Sequence, residues 1–366
     1  MTVVDPALAP LIERVHAARS AGAQLDIRGG GSKRFYGEAP QGEPFDVTGL
    51  SGISSYEPTE LVVTARCGTP LTELETVLAE QGQCLPFEPP HFNAAATVGG
   101  MVAAGLSGPS RAAVGALRDY VLGATLLNGR GELLAFGGQV MKNVAGYDVS
   151  RLLAGSMGTL GVICEVSLKV LPMAPATATL RFELEQAEAL QQLQRWGGQP
   201  LPINASAWWS GMLVVRLRGA LAAVNAAITK LGGELIEGAD AISFWQGLRE
   251  HSDEFFVGAQ RAVNAGGGIA LWRLSVPPTT PMLGLPGEEL IEWGGAQRWL
   301  CSAVPAAAVR DVASRAGGHA TLFYSAGKEG GVFAPLPSPL DRIHRELKKA
   351  FDPAGIFNPG RLYPGL

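Results

Sequence analysis

Apolar residues along this chain recur at two spacings, three and four apart or two apart, and the elements follow from that difference. Leu8, Leu11, Ile12 and Val15 after Asp5-Pro6 predict an N-capped amphipathic helix with proline at its first position. Leu25 and Ile27 predict a strand, with further short strands over Phe45 to Thr48 and Leu61 to Arg66. The next helix is sharply punctuated: Thr69 as N-cap, Pro70 as first residue, Leu71, Leu74 and Leu78 as buried face and Gly82 as stop. Residues 118 to 134 read as a hairpin turning at Asn128-Gly129, and a short helix through Leu152 and Leu153 ends at Gly155. Over residues 162 to 170, Val162, Cys164, Val166 and Leu168 alternate with Ile163, Glu165, Ser167 and Lys169, a strand pattern.

The pattern changes character after Pro172 and Pro175, where tryptophans enter. That places a first domain at 1–174, a second at 175–340 and a closing helix with its tail at 341–366. Strand Thr179 to Leu184, helix Gln186 to Trp196, strands Ser206 to Trp209 and Leu213 to Arg218, helix Ala220 to Leu231 and strand Glu234 to Ile236 make a βαββαβ, ferredoxin-like order. A weaker second pass has strands near 269–276, 290–293, 298–302 and 319–324 and a helix near 306–315. The fold class is α+β. Trp208, Trp209 and Trp245 are assigned to the core.

Glycine makes up 48 of 366 residues, without any repeat, so sites lined by backbone are expected. The run Arg28-Gly29-Gly30-Gly31-Ser32-Lys33 follows a strand; three glycines free to take positive φ, two flanking cations and a hydroxyl read as a diphosphate cradle. It has neither the G-x-G-x-x-G nor the P-loop spacing. A second block, residues 94–105, has side chains so small that a helix start at Gly99-Gly100 can lie against a ligand and offer it free N–H groups. A third glycine loop spans residues 155–161.

Net charge is −4 with both signs scattered, which leaves no footprint for nucleic acid. No apolar run has transmembrane length, and the first residues lack the pattern of a secretory signal, so a cytoplasmic protein is expected. Cys67, Cys84, Cys164 and Cys301 form no C-x-x-C, and His16, His91, His251, His319 and His344 form no ligand pair, so no metal site is expected.

Five segments carry a family likeness. Arg-Gly-Gly-Gly-Ser-Lys (28–33), Ala-Thr-Val-Gly-Gly (96–100), Arg-Asp-Tyr-Val-Leu-Gly (118–123), Lys-Asn-Val-Ala-Gly-Tyr-Asp (142–148) and Gly-Ser-Met-Gly-Thr-Leu-Gly (155–161) occur in this order. Residues 27 to 172 thereby closely resemble the FAD-binding domain of the vanillyl-alcohol oxidase and p-cresol methylhydroxylase flavoprotein superfamily. The resemblance implies a two-subdomain FAD-binding domain of that type, with a ferredoxin-like antiparallel cap over the flavin. It implies FAD contacts from Arg28, Gly29, Gly30, Gly31, Ser32 and Lys33, from Thr97, Val98, Gly99, Gly100, Ala103 and Gly105, and from Gly158, Thr159, Gly161, Val162 and Ile163. Ser32 stands where some oxidases of the superfamily carry a flavin-linking histidine, so noncovalent FAD is expected. The tail Asp-Pro-Ala-Gly-Ile-Phe-Asn-Pro-Gly (352–360) resembles that of the 2-hydroxy-acid dehydrogenase branch, which adds Asn358.

Catalytic members of that branch carry a His-x-Gly-Asp-Gly-x-x-His element and a later Glu-His pair that bind a metal at the substrate. The corresponding stretch here, Gly-His-Ala-Thr-Leu-Phe-Tyr-Ser (318–325), has His319 alone, and no Glu-His follows. Candidate catalytic residues are therefore His319 as base and Arg273 or Arg298 as the cation for a substrate carboxylate. In length, motif order and missing metal motif the chain is most similar to the smaller FAD-binding subunits of bacterial glycolate oxidases. That likeness implies a larger homologous flavin subunit and an iron–sulfur subunit as partners, a small 2-hydroxy acid as substrate, and contact with the membrane only peripherally through the complex. Alternatives are a stand-alone FAD-dependent 2-hydroxy-acid dehydrogenase and a non-catalytic flavin-binding scaffold.

Overall fold

The protein is described by a computed structural model over residues 6–138 and 148–366; of the Lys142 to Asp148 motif only Asp148 lies within the described residues. A five-stranded antiparallel sheet runs in the order Ile53–Glu57, Val62–Arg66, Val162–Lys169, Val121–Leu127, Leu133–Gly137. Its central strand, Val162–Lys169, contributes to two cores. Val166 and Leu168 pack with Val63 and Leu126 under the helices Leu71–Glu80 and Val98–Ala104. Val162 and Cys164 meet a second core built from Val15, Ala18, Leu25, Phe45 and Phe357.

That second core belongs to a smaller unit, the helix Ala9–Ala21 over a parallel pair of strands, Leu25–Arg28 and Glu43–Asp46. The C-terminal tail extends the pair: Leu25 N–H donates to Ile356 O (2.7 Å) and Asn358 N–H to Leu25 O (2.9 Å). The first glycine loop leaves the end of this strand and crosses towards the helix Val98–Ala104.

The second sheet has eight strands, all antiparallel, and begins at Ala176. Its order is Glu234–Ile236, Ala176–Glu183, Met212–Gly219, Ile203–Trp209, Glu288–Glu292, Gln297–Ser302, Ala270–Ser275, His319–Ser325. The βαββαβ half and the second half join where Ile203–Trp209 pairs with Glu288–Glu292. The helices Gln186–Gly197 and Leu221–Leu231 cover the first half, and Ala306–Arg315 covers the second. Helices Gly238–Glu250 and Glu254–Asn264 help form a third core in which Trp245, Phe255, Phe256, Trp299 and Phe323 meet Tyr36, Leu106 and Met157 of the glycine-loop half. Trp208 and Trp245 are buried, and Trp209 is half-buried. Among the described residues no helix is long and apolar enough to cross a membrane.

Three local expectations change. The first helix starts at Ala9 with Leu8 ahead of it and Pro10 in its first turn, and Asp5 lies outside the described residues. Pro70, extended at ψ 133°, precedes the second helix in place of Thr69; the Thr69 hydroxyl bonds Arg66 O at 2.6 Å and accepts from Gly52 N–H at 2.9 Å. The hairpin turn is longer than Asn128-Gly129: Asn128 Oδ1 accepts from Arg130 and Glu132 N–H, and Gly131 supplies the positive φ of 81°.

Candidate active site

A cavity of about 110 Å³ lies where the small unit, the five-stranded sheet and the tail converge. Its wall includes Arg28, Gly29, Gly30, Gly31, Ser32, Lys33, Thr97, Gly99, Gly100, Ala103, Gly158, Gly161, Ile163 and Asn358, most of the residues expected to bind cofactor. Val98, Gly105, Thr159 and Val162 are not part of that wall. Val98 is buried under the sheet with its N–H on Thr69 O, and Gly105 ends its helix at φ 65°. The Thr159 hydroxyl bonds Ser156 O, and Val162 faces the small unit's core.

The first loop leaves its amides unengaged, and its glycines divide their labour differently from the expectation of three positive φ angles. The N–H groups of residues 29 to 33, five in succession, find no acceptor among the described residues. Of the three glycines only Gly31 has a positive φ, 73°. Gly29 and Gly30 are required by close approach instead, since a Cβ would stand 2.4 Å from Thr97 Oγ1 at Gly29 and 1.4 Å from Ala95 O at Gly30. The bare backbone thus lets the first loop lie directly on the second. That second loop does not offer the free amides expected of it: Gly99 N–H donates to Cys67 O (2.7 Å) and Gly100 N–H to the Thr97 hydroxyl (3.2 Å). Gly99 serves packing, with a Cβ there only 2.6 Å from Cys67 Cβ.

The flanking charges are also redistributed. Arg28 Nε (2.7 Å) and Arg34 Nη1 (2.9 Å) both donate to Oδ2 of buried Asp26. Lys33 Nζ sits 3.4 Å from His91 O and 5.5 Å from the centre of the Phe92 ring, and burial pulls its ammonium down to about 8. Asn358 braces two loops, accepting from Ile27 N–H at 2.7 Å and donating to Met157 O at 2.6 Å, so its amide is engaged by protein. One residue that sequence reasoning missed, Arg361, also reaches the cavity.

On the side of the eight-stranded sheet the expected catalytic set disperses. Arg298 is wholly buried and holds Gly295 O (2.7 Å) and Thr280 O (2.8 Å), a brace for strand ends rather than a substrate contact. His319 is exposed at a strand start opposite Ser275, where partial desolvation and then the Arg273 charge lower its imidazole. Arg273 faces inward and donates Nη2–H to the Tyr36 hydroxyl at 3.0 Å. Its neighbours are His251, whose ring stacks on Phe256 at 3.8 Å, and Glu292, which accepts from Trp299 Nε1 (2.7 Å) and Gln297 Nε2 (2.9 Å). Burial, with Arg273 adding to it, pushes His251 down to about 3, and burial pushes Glu292 up to about 7. Phe92, Trp299 and Phe323 fill this region so closely that the remaining void is about 10 Å³, the room of about one water molecule. Among the described residues no three His, Cys, Asp or Glu side chains gather as a metal site would need.

Comparison with known proteins agrees with this geometry. The family described as FAD binding domain matches residues 8–137. The chain is 49% identical over 356 residues to glycolate oxidase subunit GlcE of Escherichia coli (strain K12), with 97% of each chain covered. It is 34% identical over 147 residues to a D-lactate dehydrogenase of Anaerostipes hadrus and 29% identical over 143 residues to glycolate oxidase subunit GlcD of Bacillus subtilis (strain 168), covering 30% of each of those longer chains. Among solved structures, alkyldihydroxyacetonephosphate synthase shares the fold at a TM-score of 0.64 and 16% identity, over 97% of this chain and 75% of that one. Five unengaged amides, glycines that admit no Cβ and a cavity between two units fit the diphosphate of FAD.

Proposed function

From the premise that this chain belongs to the family of the glycolate oxidase subunit GlcE, we propose that it is the FAD-binding subunit of a glycolate-oxidising complex, an FAD-dependent oxidoreductase acting on 2-hydroxy acids. The observation that carries the reading is the pairing of full-length similarity with the row of free amides over residues 29–33. When bound, FAD supplies the hydride-accepting chemistry. The chain's own residues would hold it: the five unengaged N–H groups over residues 29–33 would donate to the diphosphate, Gly29 and Gly30 let the two loops close, and Asn358 fixes the first strand against Met157. The binding is noncovalent, because Ser32 offers a hydroxyl where a linking imidazole would be needed.

Substrate turnover belongs to the complex, with a larger homologous flavin subunit and an iron–sulfur subunit as partners and the membrane met only peripherally. What supports this division is the region around Arg273: its guanidinium is held by Tyr36, and aromatic rings leave space for about one water where a hydroxy acid would need several times that. Acid precipitation of the purified chain should leave yellow FAD in the supernatant, and anaerobic glycolate or D-lactate should bleach the flavin only when the larger subunit is present. Flavin retained by the denatured pellet, or rapid bleaching of the isolated chain, overturns the corresponding part.

A further inference from the structure

We propose that Arg361, in the C-terminal tail, is the side-chain cation of the cofactor site and donates its Nη1–H to a phosphate oxygen of the bound dinucleotide. The proposal rests on FAD occupying the cavity, and it assigns to the tail a charge that the glycine loop's own basic residues do not deliver.

The argument begins with those residues. Arg28 and Arg34 turn to a single buried carboxylate, Asp26, and Lys33 turns to His91 O and the Phe92 face. Arg361 differs from them. It is 6% exposed and lines the cavity beside Gly31 and Met157. Its Nη2 donates to Arg34 O (3.0 Å) and Tyr36 O (2.6 Å), the backbone just beyond the cradle, while its buried Nη1 has no partner among the described residues. Position 37 has no side chain, and a Cβ there would crowd Met157 Cε at 2.9 Å and Arg361 O at 3.1 Å, so the tail lies close against this turn. Leaving a buried guanidinium N–H unpaired is costly, and Arg361 is a residue of the cavity wall, so its unengaged Nη1–H calls for an acceptor that arrives with the ligand. The nearby charges favour an anionic acceptor: Arg28, Arg34, Lys328 and Arg361 outnumber Asp26 and Glu38. Two backbone carbonyls fix the guanidinium before any ligand arrives, so little orientational freedom remains to be lost on binding.

The test compares wild type, Arg361→Gln and Arg361→Lys as full-length apoprotein titrated with FAD, reading Kd from flavin fluorescence and the ³¹P resonances of the bound diphosphate. A charge-assisted hydrogen bond lost to glutamine weakens FAD binding roughly 10- to 100-fold, and the ³¹P shifts move in both variants, with lysine intermediate in affinity. A wild-type Kd in R361Q overturns the proposal, and so does weakened binding with unmoved ³¹P resonances, which would leave Arg361 a purely structural brace. Should R361Q fail to fold, unmoved resonances in R361K overturn it equally. Failure of the wild-type protein to bind FAD would instead sink the functional reading itself.

Discussion

Substituting Asn358 should separate loops that are far apart in sequence. Its side-chain amide ties Ile27 N–H (2.7 Å) to Met157 O (2.6 Å), across sequence separations of 331 and 201 residues. Asn358→Ala leaves a donor and an acceptor without partners in a buried place, at about 1–3 kcal/mol each. The backbone at 358 has φ 40°, a left-handed conformation that asparagine tolerates better than alanine, which adds about 1 kcal/mol. The expected loss is therefore about 3–7 kcal/mol, a large share of the roughly 5–15 kcal/mol that holds a protein folded. Urea unfolding of the apoprotein reads it directly, and the FAD Kd should rise in parallel. Asn358→Asp refines the test, because an ionised carboxylate still accepts from Ile27 but opposes the Met157 carbonyl, whereas its protonated form donates to it. That variant should gain stability as pH falls from about 7 to 5. An Asn358→Ala protein within about 0.5 kcal/mol of wild type, with FAD bound as tightly, would refute the reasoning.

Two further outcomes are expected. Glu292 has a folded value of about 7 against an ordinary 4.5, so the folded state holds the proton more tightly and this contribution to stability falls as pH rises through that window, on the order of 3 kcal/mol in all; Glu292→Gln should remove that component from the dependence of the urea midpoint between pH 5 and 8, over a background in which Asp253, near 6, acts with the same sign and His251, held down to about 3, acts with the opposite one, and a wild-type pH profile in the variant would contradict it. Gly30→Ala and Gly31→Ala should differ sharply: the first puts a Cβ 1.4 Å from Ala95 O, drives the two loops apart and abolishes FAD binding, while the second meets only Arg34 Cδ at 3.5 Å and costs about 1 kcal/mol of backbone strain with FAD retained, so equal behaviour of the two in an FAD titration would show the loops misassigned.

Much of this architecture is legible wherever a single element carries its own pattern. Leu71, Leu74 and Leu78 announce a buried helix face, and the alternation from Val162 to Lys169 announces the central strand. The edge strand Ile53–Glu57 escapes because one polar-rich face looks outward and its residues read as a loop. The helix Glu254–Asn264 does carry a signal: Phe255, Phe256, Ala259 and Val263 recur at helical spacing after Asp253, whose carboxylate caps Phe256 N–H at 3.0 Å. Site residues divide differently. Glycine loops reveal themselves by composition, but whether Gly99 presents its amide or uses it depends on where Cys67 O lies, which no local pattern encodes. Arg298 and Arg273 have the same kind of neighbours in sequence and opposite surroundings in space. Arg361 carries only the signal of a basic residue after Asn-Pro-Gly, and its role depends on a tail returning across the whole chain.

That return sets a schedule for making the protein. The cofactor cavity begins with residues near 28 and is completed by Asn358 and Arg361, about 330 positions later. At about 5–20 residues per second of synthesis, roughly 15–65 s separate the emergence of the first wall from the last. A nascent chain therefore cannot complete this site early, and a copy that stops before Asn358 lacks both tail contributions however well its sheets have formed. Acquisition of FAD becomes a checkpoint on synthesis: the yellow fraction of a preparation reports the fraction of chains that extend past Arg361.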